Sequence, residues 1–152
     1  MSAARDGLAR SVQVRLARHA KTIGVDPRQR LRAYSRASVM AEKLHAMVVL
    51  GSANSRMKDY FDVHALLREG ACRPAELSRA ISATFDRRGT ARPDSLPLGL
   101  TDDFAREPSK QAQWHAFLDK NRLEAPHLEQ VVADIRRLIA DALRVAGREG
   151  SR

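Results

Sequence analysis

The spacing of apolar residues near the end of the chain constrains the fold most strongly. Seven of them recur at intervals of three and four residues: Leu128, Val131, Val132, Ile135, Leu138, Ile139 and Leu143. Charged residues such as Asp134 and Arg137 fall between them. This spacing puts one apolar stripe along an α-helix of about four turns. No segment alternates convincingly over the length of a strand, so the sequence predicts an all-α fold.

The rest of the chain divides into shorter segments with the same helical period. The first runs from Leu8 to about Ile23, followed by a connector. The remaining segments are a helix capped by Ser35 or Ser38 and ended at Gly51, one from about Met57 to Glu69, one opened by Pro74, and one that starts at Thr101 and is interrupted by Pro108, after which Trp114, Phe117 and Leu118 mark another helical face. We therefore predict a helical bundle of about six helices. Residues 1–34 form its N-terminal helix and connector, and residues 35–152 form a single helical domain.

Charge and cysteine content restrict the partners and the compartment. The chain has 152 residues, a net charge of +9 and a pI near 10.7, so it should attract polyanions such as RNA or nucleotide phosphates. A merely solvating basic face is the alternative. A single cysteine excludes an internal disulfide and fits a cytoplasmic protein. No apolar run approaches the roughly 20 residues that span a bilayer, so no membrane partner is expected.

The segment from Lys43 to Asp62 carries the most informative charges. Lys43 shares the apolar stripe of Met40 and Met47, and a lysine there needs a carboxylate or a phosphate beside it. Asp59 and Asp62 are three residues apart, hence on one helix face, where they are placed to receive Lys43 or to hold a metal. The alternative is an ordinary ion pair between Lys58 and Asp62, four residues apart.

Two strings in this segment resemble a known family. Ala41-Glu42-Lys43-Leu44, followed by Asn54-Ser55-Arg56-Met57-Lys58-Asp59-Tyr60-Phe61-Asp62, resembles the C-terminal helical motifs of the nucleotidyltransferase AbiEii/AbiGii toxin family. Residues 83–90 and 110–114 are also similar to that family. The resemblance implies that Lys43, Asp59 and Asp62 are catalytic. It also implies that Lys43, Arg56 and Lys58 bind the substrate nucleotide.

The resemblance also implies a reaction and partners. Such enzymes transfer a nucleotide from a nucleoside triphosphate to an acceptor such as tRNA, use Mg²⁺, and belong to bacterial toxin–antitoxin systems, here with a winged-helix antitoxin as the expected partner. Their metal is held by a Gly-Ser turn and an Asp-x-Asp pair. The chain contains no Asp-x-Asp, and Gly51-Ser52 ends a helix, so we assign no metal ligands.

A truncated toxin is the interpretation that fits both the family resemblance and the missing Asp-x-Asp pair. Residues 11–16 resemble the family's first helix, and the sheet lobe that follows it in the family is missing. We expect no nucleotide transfer by this chain alone, and exposed faces on the helices that would meet that lobe, leading to a homodimer. A non-catalytic RNA- or antitoxin-binding remnant and a helical interaction module are the alternatives.

Overall fold

The computed structural model describes residues 36–70 and 72–149, with side chains as far as Arg144. These ranges contain six α-helices and no strand: α1 Arg36–Leu50, α2 Met57–Arg68, α3 Pro74–Arg87, α4 Asp102–Arg106, α5 Pro108–Asn121 and α6 Leu128–Glu149. Two 3₁₀ turns, Gly51–Ala53 and Leu98–Leu100, lie between them. The predicted all-α, single-domain bundle is confirmed. The helix predicted from Leu8 to Ile23, its connector and the proposed domain boundary near residue 34 lie outside the described residues.

Local sequence explains where the helices begin. Pro74 and Pro108 occupy the first positions of α3 and α5, where a missing N–H costs nothing and the restricted φ suits the helix. The Thr101 side chain accepts a hydrogen bond from the backbone N–H of Phe104 at 3.2 Å and thereby caps α4. The predicted interruption at Pro108 is present and separates α4 from α5, because Glu107 before the proline leaves the helical conformation, with φ −60° and ψ 128°.

The apolar stripe of α6 packs against α2, α3 and α4, while α1 lies against α3 and α2. The largest fully buried side chains belong to Trp114, Tyr60 and Phe85. Tyr60 also donates a hydrogen bond to the carbonyl of Gly99 at 2.7 Å. That bond ties α2 to the second 3₁₀ turn and so anchors the long connection after α3.

The faces of α1 and α2 are largely covered. Among the described residues, the exposed large hydrophobic side chains are those of Val49, Leu50, Leu96 and Leu98. The expected exposed apolar surface is therefore restricted, on these two helices, to the C-terminal end of α1. In the described part of the chain, no helix is long and apolar enough to cross a membrane.

Candidate functional site

The site is centred on Lys43, which lies between two carboxylates of α2. Its Nζ is 2.9 Å from Asp59 Oδ1 and 2.8 Å from Asp62 Oδ2, and all three side chains are at most 7% exposed. The contact forms because residues 51–56 connect α1 to α2 closely, while the helical period turns Lys43 inward with Met40 and Met47. The predicted contact between Lys43 and the two aspartates is thus present.

Two exposed cations complete this group. Arg56 Nε is 3.1 Å from Asp59 Oδ2, and Lys58 Nζ is 2.8 Å from Asp62 Oδ2. The intrahelical pair of Lys58 and Asp62 therefore coexists with the Lys43 contact instead of replacing it. We call these five side chains the charged cluster. With three cations and two carboxylates, it carries an excess of positive charge, and its outer cations are more than half exposed.

The donor set of the charged cluster does not fit a Mg²⁺ ion. Magnesium prefers an octahedron of oxygen ligands with little positive charge nearby, whereas Asp59 and Asp62 are already in contact with lysine and arginine side chains. No group of three or more His, Cys, Asp or Glu side chains in the described ranges is arranged to hold a metal. In this arrangement both aspartates are counter-ions of Lys43.

The turn before α2 is held by a second buried lysine, Lys110, which the sequence motifs do not single out. Lys110, in the first turn of α5, is 5% exposed and donates from Nζ to the Asn54 carbonyl at 2.9 Å. Its ammonium also lies 5.2 Å from the centre of the Phe104 ring, a favourable cation–π distance. Asn54 Oδ1 in turn accepts from the backbone N–H of Arg56 at 2.9 Å. The spacing of Lys110 from the buried Trp114 is the signal that places it on an inward face.

An open depression of about 590 Å³ lies beside the charged cluster, between the start of α2 and the middle of α5. We call it the α2–α5 pocket. Its lining comprises Ser55, Arg56, Met57, Lys58, Asp59, Gln113, Ala116 and Phe117. Asp59 Oδ2 is buried and lies 3.1 Å from Arg56 Nε in an ion pair, whereas the buried Oε1 of Gln113 has no hydrogen-bond donor among the described residues. The pocket thus combines exposed cations, one unsatisfied acceptor and an aromatic wall.

The histidines and the cysteine among the described residues lie outside the charged cluster. His64 Nε2 donates to Asp134 Oδ2 at 2.9 Å, and His45 Nε2 lies 2.9 Å from Thr90 Oγ1. The Cys72 thiol donates to Met40 Sδ at 3.6 Å, and burial raises its pKa, so it is a poor nucleophile. His115 and His127 are exposed.

Comparison with known proteins adds one positive finding. Residues 3–141 match the model of the family described as "Nucleotidyl transferase AbiEii toxin, Type IV TA system". The match covers α1 to α5, most of α6 and most of the N-terminal segment. No curated protein matches the chain, and no solved structure matches it.

Proposed function

Because the chain belongs to the AbiEii nucleotidyl transferase toxin family of type IV toxin–antitoxin systems, we propose that its charged cluster binds the phosphates of a nucleoside triphosphate. The observation that carries the proposal is the burial of Lys43 between Asp59 and Asp62, flanked by two exposed cations. A polyphosphate matches that excess of positive charge.

Each side chain of the charged cluster has a separate role in this proposal. Arg56 and Lys58 are mobile enough to turn from their carboxylates toward a phosphate, since their side chains are 60% and 51% exposed. Lys43 is buried and touches both aspartates, so it holds α1 against α2 and fixes where those carboxylates point. In the family reaction Lys43, Asp59 and Asp62 would stand at the reacting phosphate.

Binding, and not transfer, is the activity that we propose for this chain by itself. The residues of the charged cluster do not fit the Mg²⁺ ion that the family reaction employs, and the sequence contains no Asp-x-Asp pair. A truncated toxin that retains the nucleotide-binding helices accounts for both observations. Transfer to an acceptor such as tRNA belongs to the complete form of the enzyme.

Calorimetric titration of the pure chain with ATP tests the proposal. Arg56→Gln and Lys58→Gln should each weaken binding by about tenfold, as expected for the loss of a charged hydrogen bond. Arg68→Gln, which removes an exposed arginine at the far end of α2, serves as the matched control. Equal affinities for all four proteins would contradict the assignment to the charged cluster.

A second assay addresses transfer. Pure protein is incubated with Mg²⁺, each labelled nucleoside triphosphate and bulk tRNA. We expect no labelled tRNA. Robust Mg²⁺-dependent labelling of tRNA by the pure protein would show that this chain is a complete enzyme, and would overturn the proposal that it only binds.

Protein partners follow from the family. A toxin–antitoxin system includes an antitoxin, and we propose that the partner here is of the winged-helix type. We also propose that the chain forms a homodimer in the cytoplasm when the antitoxin is absent. Light scattering of the purified chain, alone and mixed with a winged-helix antitoxin, distinguishes a monomer, a dimer and a mixed complex.

A further inference from the structure

The α2–α5 pocket contains more than phosphate-binding groups. Resting on the nucleotide binding proposed above, we propose that this pocket holds the nucleobase, and that Gln113 on α5 determines which base is preferred. Arg56 and Lys58 line the same pocket, so a nucleotide whose phosphates reach them has its base beside α5.

One face of α5 is suited to a base. Gln113, Ala116 and Phe117 are three and four residues apart, which places them together on that face. Phe117 is held by two other rings: its centroid is 6.0 Å from that of Trp114, in a stacked arrangement, and 5.8 Å from that of Phe61. An aromatic side chain restrained in this way is a rigid platform for stacking, which favours any base.

Gln113 supplies a hydrogen-bond acceptor, which the Phe117 ring lacks. Its carboxamide oxygen is buried and has no hydrogen-bond donor among the described residues, and leaving such an atom unpaired is unfavourable. A ligand that donates a hydrogen bond to it satisfies the oxygen. The exocyclic amino groups of adenine and cytosine are donors, whereas the carbonyl groups at the same positions of hypoxanthine and uracil are acceptors.

The pocket size and the carboxylate of Asp59 agree with a nucleoside. A volume of about 590 Å³ is in the usual range of roughly 300 to 1,000 Å³ for small-molecule sites. Asp59 also lines the pocket, and its carboxylate accepts hydrogen bonds of the kind that ribose hydroxyl groups donate. In this arrangement the base contacts Gln113, the sugar lies near Asp59, and the phosphates contact Arg56 and Lys58.

Calorimetric titration of the full chain with paired nucleotides tests the inference. The pairs are ATP with inosine triphosphate and CTP with UTP, which differ in the amino or carbonyl group at one ring position. We expect the amino-bearing member of each pair to bind about 3- to 10-fold more tightly, the usual range for one neutral hydrogen bond. In Gln113→Leu that ratio should fall to about one. His115→Leu, an exposed position on the same helix outside the pocket, should keep the ratio of the unmodified protein.

Titration with inorganic tripolyphosphate distinguishes a failure of the base pocket from a failure of the phosphate site on which it rests. If tripolyphosphate binds as tightly as the nucleotides, the phosphate site stands and the base pocket is wrong. If neither tripolyphosphate nor any nucleotide binds, both are wrong. A preference for the carbonyl-bearing bases, or a ratio that Gln113→Leu leaves unchanged, would overturn the role of Gln113. Phe117→Leu provides an independent check, because it should weaken all four nucleotides alike while leaving tripolyphosphate binding unchanged.

Discussion

Burial makes the electrostatic surroundings of Lys43 decisive for folding. Its side chain is 7% exposed, and those of Asp59 and Asp62 are 5% and 3% exposed. Removing one member of a buried ion pair leaves charge without compensation and costs more than the pair itself contributes. The exposed members of the charged cluster are screened by water, so their contribution to stability is small.

Lys43→Met should lower the free energy of unfolding by about 3 to 5 kcal/mol, because two buried carboxylates lose their shared partner. Lys58→Met is the matched control, since its 51% exposed side chain touches one of the same carboxylates. Its loss should cost less than about 1 kcal/mol. Urea denaturation at pH 7 measures both. Similar losses in the two variants would contradict the dominant role of burial.

The helical period predicts this contact, since it needs only the inward face of α1 and a short connection to α2. The same reasoning does not identify the contact partner of Lys110 or the pocket beside Gln113. Lys110 contacts Asn54 across 56 positions of the chain, and no local period specifies which helix lies opposite another. The α2–α5 pocket exists only because α5 packs against the start of α2.

At the scale of the helices, α2 and α6 are joined by a polar contact within an otherwise apolar interface. His64 donates to Asp134, which also accepts from Gln130 at 2.8 Å. Burial raises the pKa of Asp134, but the hydrogen bonds from His64 and Gln130 and the nearby charges outweigh it, so the pKa lies below its usual value. The ionised carboxylate is therefore favoured in the folded protein.

This contact should make stability depend on pH in the acid range. A carboxyl whose pKa is lower in the folded than in the unfolded protein stabilises the fold above its unfolded pKa, about 4. That stability is lost as the pH falls through the folded pKa. Asp134→Asn should cost about 1 kcal/mol at pH 7, and its difference from the unmodified protein should shrink below about pH 4.

Urea denaturation at pH 7, 4 and 3 measures that difference. Asp141→Asn is the control, because Asp141 is an exposed aspartate of the same helix. It should change little at any of these pH values. A difference for Asp134→Asn that stays constant down to pH 3 would disprove the linkage.

The connection between α3 and α4 depends on a glycine. A Cβ at Gly99 would lie 2.9 Å from Tyr60 Oη and 3.1 Å from the Met47 carbonyl oxygen. Gly99→Ala should therefore destabilise the protein by about 1 to 3 kcal/mol, the usual cost of overpacking. Ser95→Ala, at an exposed position of the same connection, should change stability by less than about 0.5 kcal/mol. Thermal denaturation of both variants checks this.

Helix boundaries were more predictable than helix partners. Proline or glycine beside α1, α2, α3 and α5 marks an end that the structure confirms. The covering of α1 was missed, since the packing of α3 on it is a tertiary contact.

At the scale of the whole molecule, positive charge is distributed unevenly. Residues 1–35 contain eight of the 27 lysines and arginines but only two of the 18 aspartates and glutamates. In the described helices many exposed arginines contact carboxylates, as Arg36 does with Glu69 and Arg144 with Asp141. The helical body is therefore nearly balanced in charge, and a general affinity for polyanions should reside in the N-terminal segment.

Binding of bulk tRNA at a series of salt concentrations tests that distribution. Replacing Arg5, Arg10, Arg15 and Arg18 with glutamine should reduce the slope of log K against log salt by roughly three units, since each phosphate contact contributes about 0.7 to 0.9. The same replacement of Arg68, Arg79, Arg92 and Arg122 is the matched control and should change the slope little. A larger change in the control would place the RNA-binding surface on the helical body.

The position of Trp114 has an optical consequence. It is the chain's single tryptophan, is 1% exposed, and its indole N–H donates to the Pro126 carbonyl at 3.1 Å. Its ring stacks on Phe117, which lines the α2–α5 pocket. Indole emission responds to the polarity around the ring, so unlabelled protein carries its own fluorophore, separated from the pocket by one phenyl ring.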